Sequence, residues 1–81
     1  MLIRVVAFAR LRELLSASER SLELPSGARA GDAWDALARG RAELAALRAS
    51  TRVAINGRVV PFDEALADGD ELALLPPVGG G

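Results

Sequence analysis

The sequence has no cysteine and no histidine, and it contains neither lysine nor tyrosine. Without thiols and imidazoles it has almost no material for a metal site or a thiol nucleophile, so we expect no metal-binding residues. The lack of cysteine excludes a disulfide framework and favours a cytoplasmic protein over a secreted one. A formal net charge of −1 offers no basic excess for phosphate binding. We therefore expect neither a metal centre nor a nucleic-acid partner.

Long apolar runs are missing as well. No stretch approaches the roughly 20 residues that a membrane-spanning helix requires, and residues 1–8 lack the apolar core and cleavage site of a signal peptide. We therefore expect no membrane association. The 81 residues suit a single domain, and 51% hydrophobic residues can form a core. So small a core gives modest stability, to which a partner would add.

Residues 2–8 are apolar and β-branched and too short for a typical helix, which predicts a first strand. Period-two alternation with Arg4 pointing outward divides the strand into two faces. The core face carries Ile3, Val5 and Ala7. The face of the arginine carries Leu2, Val6 and Phe8, which is more apolar surface than a face that meets only water needs.

Apolar spacing predicts two helical regions. Residues 9–16 place three leucines on one stripe of a short helix, and residues 32–48 keep helical spacing as the main helix. Gly40 weakens the main helix by about 1 kcal/mol relative to alanine, which makes a kink or stop there the expectation. Four positions are predicted to pack the main helix against the sheet: Ala33, Trp34, Leu37 and Leu44.

Turn residues delimit the other strands. Residues 20–24 form a second strand, and residues 51–60 form a type I′ hairpin around Asn56-Gly57. Residues 63–66 are predicted to make a single helical turn before the last strand, residues 71–75. This order predicts a compact α+β domain of two layers, residues 1–75, with one mixed sheet and the main helix packed across it.

The face of the sheet opposite the main helix is expected to form an apolar patch. Alternation places four residues on it: Val6, Phe8, Ala54 and Leu75. We predict that Val6, Phe8 and Leu75 bind a partner, and that Arg10 pairs with acidic groups there. Two alternatives are that the short helix covers Val6 and that Arg10 is an ordinary exposed arginine.

Residues 76–81 form a separate tail. Pro76 and Pro77 favour an extended path, and Val78 is followed by three glycines, Gly79, Gly80 and Gly81. Six extended residues reach about 20 Å, enough to enter the active site of a partner. The carboxylate of Gly81 has no Cβ beside it to hinder activation as an acyl adenylate, which makes it the candidate reactive group. The alternative is a frayed chain end.

Three segments carry a family resemblance: Phe8 to Leu14 (FARLREL), Asp68 to Glu71 (DGDE) and Leu75 to Gly81 (LPPVGGG). Over nearly its whole length the chain resembles the small subunits of molybdopterin synthase (MoaD), which are ubiquitin-like β-grasp sulfur carriers with a flexible glycine tail. A terminal Gly-Gly alone is common among ubiquitin-like proteins. Pro-Pro-Val, one small residue and Gly-Gly at the end is much more specific.

The resemblance implies that an activating enzyme uses ATP to adenylate Gly81, which becomes a thiocarboxylate. Its sulfur then passes to cyclic pyranopterin monophosphate in molybdenum cofactor biosynthesis. The chain is therefore expected to be a carrier subunit rather than an enzyme on its own, with no cofactor bound to it. Gly80 and residues 76–79 would enter the large synthase subunit, with two of each subunit in a heterotetramer.

Two positions depart from the pattern of the family. Leu75 stands where an aromatic residue often precedes the prolines, which is expected to soften a partner contact. Arg29 stands where threonine or serine is expected to cap the main helix, and loss of such a cap typically costs about 1 kcal/mol.

The sequence is also compatible with other functions. One alternative is a carrier of the same fold that serves tRNA thiolation or cysteine synthesis. The Pro-Pro-Val ending argues against a third kind of carrier, that of thiamine biosynthesis. A different class is a non-catalytic interaction module or a modifier attached to lysines of other proteins. Because the chain has no lysine, it cannot form lysine-linked chains of itself, but single attachment remains compatible with the sequence.

Overall fold

The computed structural model of the protein describes residues 1–77. These residues form five strands and three α-helices, and a short 3₁₀ helix, Arg48–Ser50, follows the third α-helix. In chain order the elements are β1 (Leu2–Ala7), α1 (Ala9–Leu15), β2 (Glu19–Glu23), α2 (Ala30–Ala38), α3 (Ala42–Ala45), β3 (Arg52–Ile55), β4 (Arg58–Val60) and β5 (Glu71–Leu75).

The five strands form one mixed sheet in the order β2-β1-β5-β3-β4. Strand β5 pairs in parallel with β1 and antiparallel with β3, while β2 and β4 are the antiparallel edge strands. The last strand in sequence is therefore the central strand in space. The predicted mixed sheet is confirmed, and the end of its central strand is the point from which residues 76–81 continue.

The core lies between this sheet and the helices. The alternation predicted for β1 is confirmed, because Ile3, Val5 and Ala7 are at most 3% exposed. The four helix positions predicted to face the sheet are all buried in the same cluster: Ala33, Trp34, Leu37 and Leu44. Helix α1 contributes Leu11 and Leu15 to this cluster and contacts α3, so it belongs to the helical layer.

Two backbone predictions are confirmed by their dihedral angles. Asn56 and Gly57, between β3 and β4, both have positive φ, +51° and +85°, as a type I′ turn requires. Gly40 has a φ of +76° and separates α2 from α3. The predicted main helix is therefore two helices, broken where glycine adopts a conformation that other residues rarely take.

Helix α2 begins two residues earlier than predicted, because a distant loop caps it. The N–H of Ala30 donates to the carbonyl of Glu64 at 2.9 Å, and the N–H of Gly31 donates to the carbonyl of Phe62 at 2.7 Å. The Asp32 carboxylate accepts from the N–H of Arg29 at 2.8 Å. As expected, the side chain of Arg29 makes no capping hydrogen bond, but these other contacts serve the first turn without a serine or threonine.

The helical turn predicted for residues 63–66 is also wrong. The N–H of Glu64 bonds to the carbonyl of Pro61 in a turn, and Ala65 then forms a single β-bridge with Arg29. The N–H of Leu66 continues this pairing by bonding to the carbonyl of Ala28 at 3.0 Å. The backbone of this loop therefore caps α2 and pairs with the residues that precede α2. It forms no helical hydrogen bonds within the segment.

Candidate functional site: the outer face and the root of the tail

The root of the tail lies at the end of the central strand. Leu75 closes β5, Pro76 is half-buried, and Pro77 is exposed. The predictions made for Val78, Gly79, Gly80 and Gly81 lie outside the described residues. The geometry of the site is therefore the geometry of the surface that surrounds Leu75.

The face of the sheet opposite α2, here called the outer face, carries the predicted apolar patch. In the strand register Val6 pairs with Ala73, Ala73 with Ala54, and Ala54 with Val59. Leu75 continues the patch beside the end of β1, where Phe8 follows. The outer patch consists of six residues: Val6, Phe8, Ala54, Val59, Ala73 and Leu75.

Exposure in the outer patch is concentrated in two of its residues. Phe8 is 46% exposed and Val59 is 55% exposed, whereas Val6, Ala73 and Leu75 are half-buried. Ala54 is only 5% exposed, yet it lies outside the core cluster. The patch is thus a shallow apolar surface. Phe8 lies beside the end of β5, and Val59 lies on the edge strand β4.

Helix α1 does not cover this surface. Its buried leucines belong to the core cluster on the other side of the sheet, so the alternative in which α1 shields Val6 is wrong. Val6 is half-buried by its neighbours in the sheet instead.

The backbone after β1 directs Phe8 outward. Phe8 keeps an extended conformation, with φ −126° and ψ 155°, so the alternation of β1 continues through it. Ala9 then has a φ of +52°, in the left-handed region, and the chain turns into α1. A non-glycine residue in this region is strained by roughly 1–2 kcal/mol, and such strain is often found at functional sites.

Ion pairs neutralise two of the arginines around the patch. Arg4 contacts the carboxylate of Glu71 on β5, with Glu19 of β2 at 3.8 Å on the other side. Arg10 donates to Glu43 at 2.7 Å and lies 3.5 Å from Glu13. Arg10, predicted to meet acidic groups of a partner, therefore already has carboxylates of its own chain beside it. Such exposed pairs contribute little to stability.

Three residues of this surface were missed by sequence reasoning: Arg52, Val59 and Ala73. A signal was present for Val59, because a two-residue hairpin turn at Asn56-Gly57 requires residue 54 to lie opposite residue 59. The position of Arg52 beside Leu75 depends on the pairing of β3 with β5, which sequence patterns do not specify.

The described residues supply an exposed apolar face on the sheet. Within residues 1–77 no cluster of three or more carboxylates is arranged to hold a metal ion. Over the same range, no helix combines the length and apolar character needed to cross a membrane. This surface can recognise an apolar partner next to the point where β5 ends.

Comparison with known proteins identifies relatives along the whole chain. The pattern of the ThiS family matches residues 5–81. The molybdopterin synthase sulfur carrier subunit of Chlamydomonas reinhardtii is 37% identical, with each chain covered completely. The subunit of the same name from Escherichia coli is 38% identical and covers 99% of this chain and 100% of its own. Small archaeal modifier protein 1 of Haloferax volcanii is 37% identical over 91% of this chain and 94% of its own.

Solved structures show the same fold. A Pyrococcus furiosus protein described as molybdopterin converting factor subunit 1 has a TM-score of 0.85 at 34% identity, covering 96% of this chain and 99% of that one. A ubiquitin-like protein from Caldiarchaeum subterraneum has a TM-score of 0.60 at 24% identity, covering 99% of this chain and 100% of that one, and shows the fold alone. The predicted α+β, ubiquitin-like β-grasp fold is confirmed.

Proposed function

The chain belongs to the ThiS family, and we propose that it is the sulfur-carrier subunit of a molybdopterin synthase. The observation that carries this proposal is its full-length similarity to sulfur carrier subunits of that enzyme. The ending Pro-Pro-Val-Gly-Gly-Gly adds support, because it follows the central strand of the sheet directly and provides a terminal carboxylate without a neighbouring side chain.

The proposed chemistry takes place at Gly81. Its carboxylate attacks the α-phosphorus of ATP and displaces pyrophosphate, giving an acyl adenylate. Sulfide attacks the acyl carbon directly, and AMP leaves with the C–O bond electrons. If the donor is a persulfide, an acyl disulfide forms first, and a second thiol cleaves its S–S bond, releasing the thiocarboxylate and joining the donor sulfur in a disulfide. The resulting thiocarboxylate donates its sulfur to cyclic pyranopterin monophosphate, and an oxygen from water restores the carboxylate. A chain without cysteine has no thiol on which to carry sulfur, which favours this route.

The outer patch is proposed to dock the large subunit. Phe8 and Leu75 lie next to the root of the tail, so a partner that covers them would receive residues 76–81 in its active site. Aromatic residues at the centre of an interface commonly supply much of its binding energy, and Phe8 is 46% exposed in the unbound chain. Val6 would extend the same contact. Gly80, which precedes Gly81, would enter the active site of the large subunit with it.

The remaining partners follow from this chemistry. ATP would be bound by a separate adenylating enzyme, and the carrier itself would hold no cofactor. We expect two carriers and two large subunits in the assembled synthase. Dependence on ATP also favours work in the cytoplasm.

The test is to express the chain with its activating enzyme and to measure its intact mass. Replacement of one oxygen by sulfur at Gly81 gives a defined mass gain, and the loaded carrier should then convert cyclic pyranopterin monophosphate in the presence of the large subunit. A chain that lacks Gly81 is the matched control. Absence of sulfur loading in the unaltered chain, with an activating enzyme shown to be functional, would contradict the proposal.

A second candidate is a protein modifier, because small archaeal modifier protein 1 is 37% identical over most of the chain. In that case the Gly81 acyl adenylate would be attacked by a lysine amine of another protein, forming an amide with release of AMP. Covalent adducts that survive denaturation and carry Gly81 on a target lysine would favour this function. Sulfur transfer to a tRNA or to a cysteine precursor, without activity in molybdopterin synthesis, would favour a carrier of another pathway.

A further inference from the structure

Two arginines lie on the outer face of the sheet, and their surroundings differ. Arg4 on β1 pairs across the strands with Glu71 and has Glu19 on its other side. Arg52 on β3 pairs across the strands with Leu75. Among the ion pairs of residues 1–77, none includes Arg52, although its side chain is exposed. Within the described part of the chain, the arginine of this face that has no ion pair is therefore the one next to Leu75.

The position of Arg52 makes this charge matter on binding. Residues directly opposite in an antiparallel pair have Cβ atoms about 4.5–5.5 Å apart, so Arg52 adjoins Leu75 across the strands. A partner that covers Leu75 and its cross-strand neighbour removes water from the charged side chain of Arg52. Removing water from a charged group without an opposing charge is strongly unfavourable. A purely apolar partner surface would consequently bind poorly at this point.

We propose that Arg52 is a specificity-determining residue that pairs with a carboxylate on the large subunit of the synthase. The inference rests on the proposed function and adds the chemistry of the partner surface to it. A carboxylate matches the planar guanidinium and accepts two hydrogen bonds from it. Arg4 needs no such group, because Glu71 and Glu19 already accompany it. The partner is thus apolar opposite Phe8 and Leu75 and acidic opposite Arg52.

This arrangement gives the apolar contact a direction. An apolar patch tolerates several orientations of its partner, whereas one charge pair beside the tail favours a single alignment. Because Arg52 and the first tail residue flank Leu75, that alignment also sets where the tail enters the partner. Binding partners of similar shape that lack the carboxylate are discriminated against by the cost of an unpaired charge.

The experiment measures the affinity of the purified large subunit for two variants, Arg52→Met and Arg52→Glu. Methionine keeps an apolar stem without charge, and we expect it to weaken binding by about 30-fold or more, since it leaves the carboxylate of the partner unpaired. Glutamate places two like charges together and should weaken binding by at least about 100-fold. The dependence of affinity on salt should decrease in Arg52→Met.

Arg58→Glu is the matched control. Arg58 is an exposed arginine on the adjacent strand and pairs with Ile55, whose side chain packs against the core on the opposite side of the sheet. The same change of charge at this position should leave the affinity within about 2-fold. Unchanged thermal unfolding of all three variants shows that the binding effects do not arise from loss of the fold. Restoration of the affinity of Arg52→Glu by a carboxylate-to-arginine change on the large subunit would support the pairing directly.

Three outcomes would overturn the inference. The first is that both Arg52 variants bind within about 3-fold of the unaltered chain. The second is that Arg52→Glu lowers adenylation but not affinity for the large subunit, which assigns the arginine to the activating enzyme. The third is that the unaltered chain does not bind the large subunit, which refutes the proposed function as well. The first two leave the proposed function intact, so the two failures are distinguishable.

Discussion

Replacing Phe8 by alanine is expected to separate partner binding from folding. The chain has two phenylalanines, and the structure places them in different surroundings. Phe8 is 46% exposed in the outer patch. Phe62 packs against the core, with its ring centroid 6.2 Å from that of Trp34 at an interplanar angle of 77°. Phe62→Ala is therefore a matched control for the loss of one phenyl ring.

The size of each effect on stability follows from these surroundings. Full burial of a phenylalanine side chain contributes roughly 1.5–3 kcal/mol, so truncating a ring that is nearly half exposed costs about half of that, on the order of 1 kcal/mol. Phe62 also makes an edge-on contact with Trp34 and lies 4.3 Å from the guanidinium carbon of Arg48. Each such contact adds roughly 0.5–1.5 kcal/mol. We expect Phe62→Ala to cost about 2–4 kcal/mol of the free energy of unfolding.

Thermal unfolding and affinity together make the test. For a domain of this size about 1 kcal/mol shifts the melting temperature by roughly 4–8 °C, so Phe8→Ala should lower it by about that amount and Phe62→Ala by at least about twice as much. Affinity for the large subunit should fall by about 30-fold or more in Phe8→Ala, as for a central interface residue. It should change little in Phe62→Ala below its melting temperature.

A large loss of stability in Phe8→Ala would refute the reasoning. It would mean that the ring is part of the core and that the register of β1 is displaced by one residue, because such a displacement exchanges the two faces of a strand. A stable Phe8→Ala variant with undiminished affinity would instead remove the outer patch as the docking surface.

Three further predictions concern the core, the strained backbone and the tail. Leu37→Ala should lower the free energy of unfolding by roughly 2–5 kcal/mol, because Leu37 is 2% exposed between α2 and the sheet, and a loss below about 0.5 kcal/mol in denaturant unfolding would show that its face is misassigned. Ala9→Gly should raise the melting temperature by an amount equivalent to as much as about 1 kcal/mol, since glycine tolerates the φ of +52°. As a control, Ala36→Gly in the middle of α2 should lower the melting temperature by about the same amount. A lower melting temperature in Ala9→Gly would argue against strain at this position. Deleting Gly81, or adding one alanine after it, should abolish sulfur loading in intact-mass measurements while the fold and affinity for the large subunit persist, because about 1 Å of misplacement can cost on the order of 100-fold in rate. Normal loading and turnover in both variants would make the tail a loose end.

Much of the fold was predictable from local patterns. The type I′ hairpin follows from Asn56-Gly57, because few other residue pairs adopt positive φ twice in succession. The two faces of β1 follow from alternation around Arg4, and the break after α2 follows from Gly40. These features depend on backbone conformations and side-chain directions that neighbouring residues determine.

The candidate site was predictable in part. Phe8, Val6 and Leu75 were assigned to the outer face by alternation, and the register confirms that face. The functional roles given to these residues and to the tail came from the resemblance to a family, and they stay predictions. Arg10 shows the limit of the pattern, because its contact with Glu43 joins residues 33 positions apart.

Other features were decided only by the tertiary structure. Whether residues 63–66 form a helical turn depends on Ala30 and Gly31. Their N–H groups donate hydrogen bonds to the carbonyls of Glu64 and Phe62 in that loop. The close approach also favours glycine, since a Cβ at position 31 would lie 3.2 Å from the carbonyl oxygen of Phe62 and the loop would have to shift slightly to admit it. Similarly, Arg4 has a carboxylate opposite it and Arg52 has Leu75 only because β5 is inserted between β1 and β3. Local sequence determines which face a side chain occupies, but the neighbours it finds there depend on strand order, which is selected by the packing of the whole core.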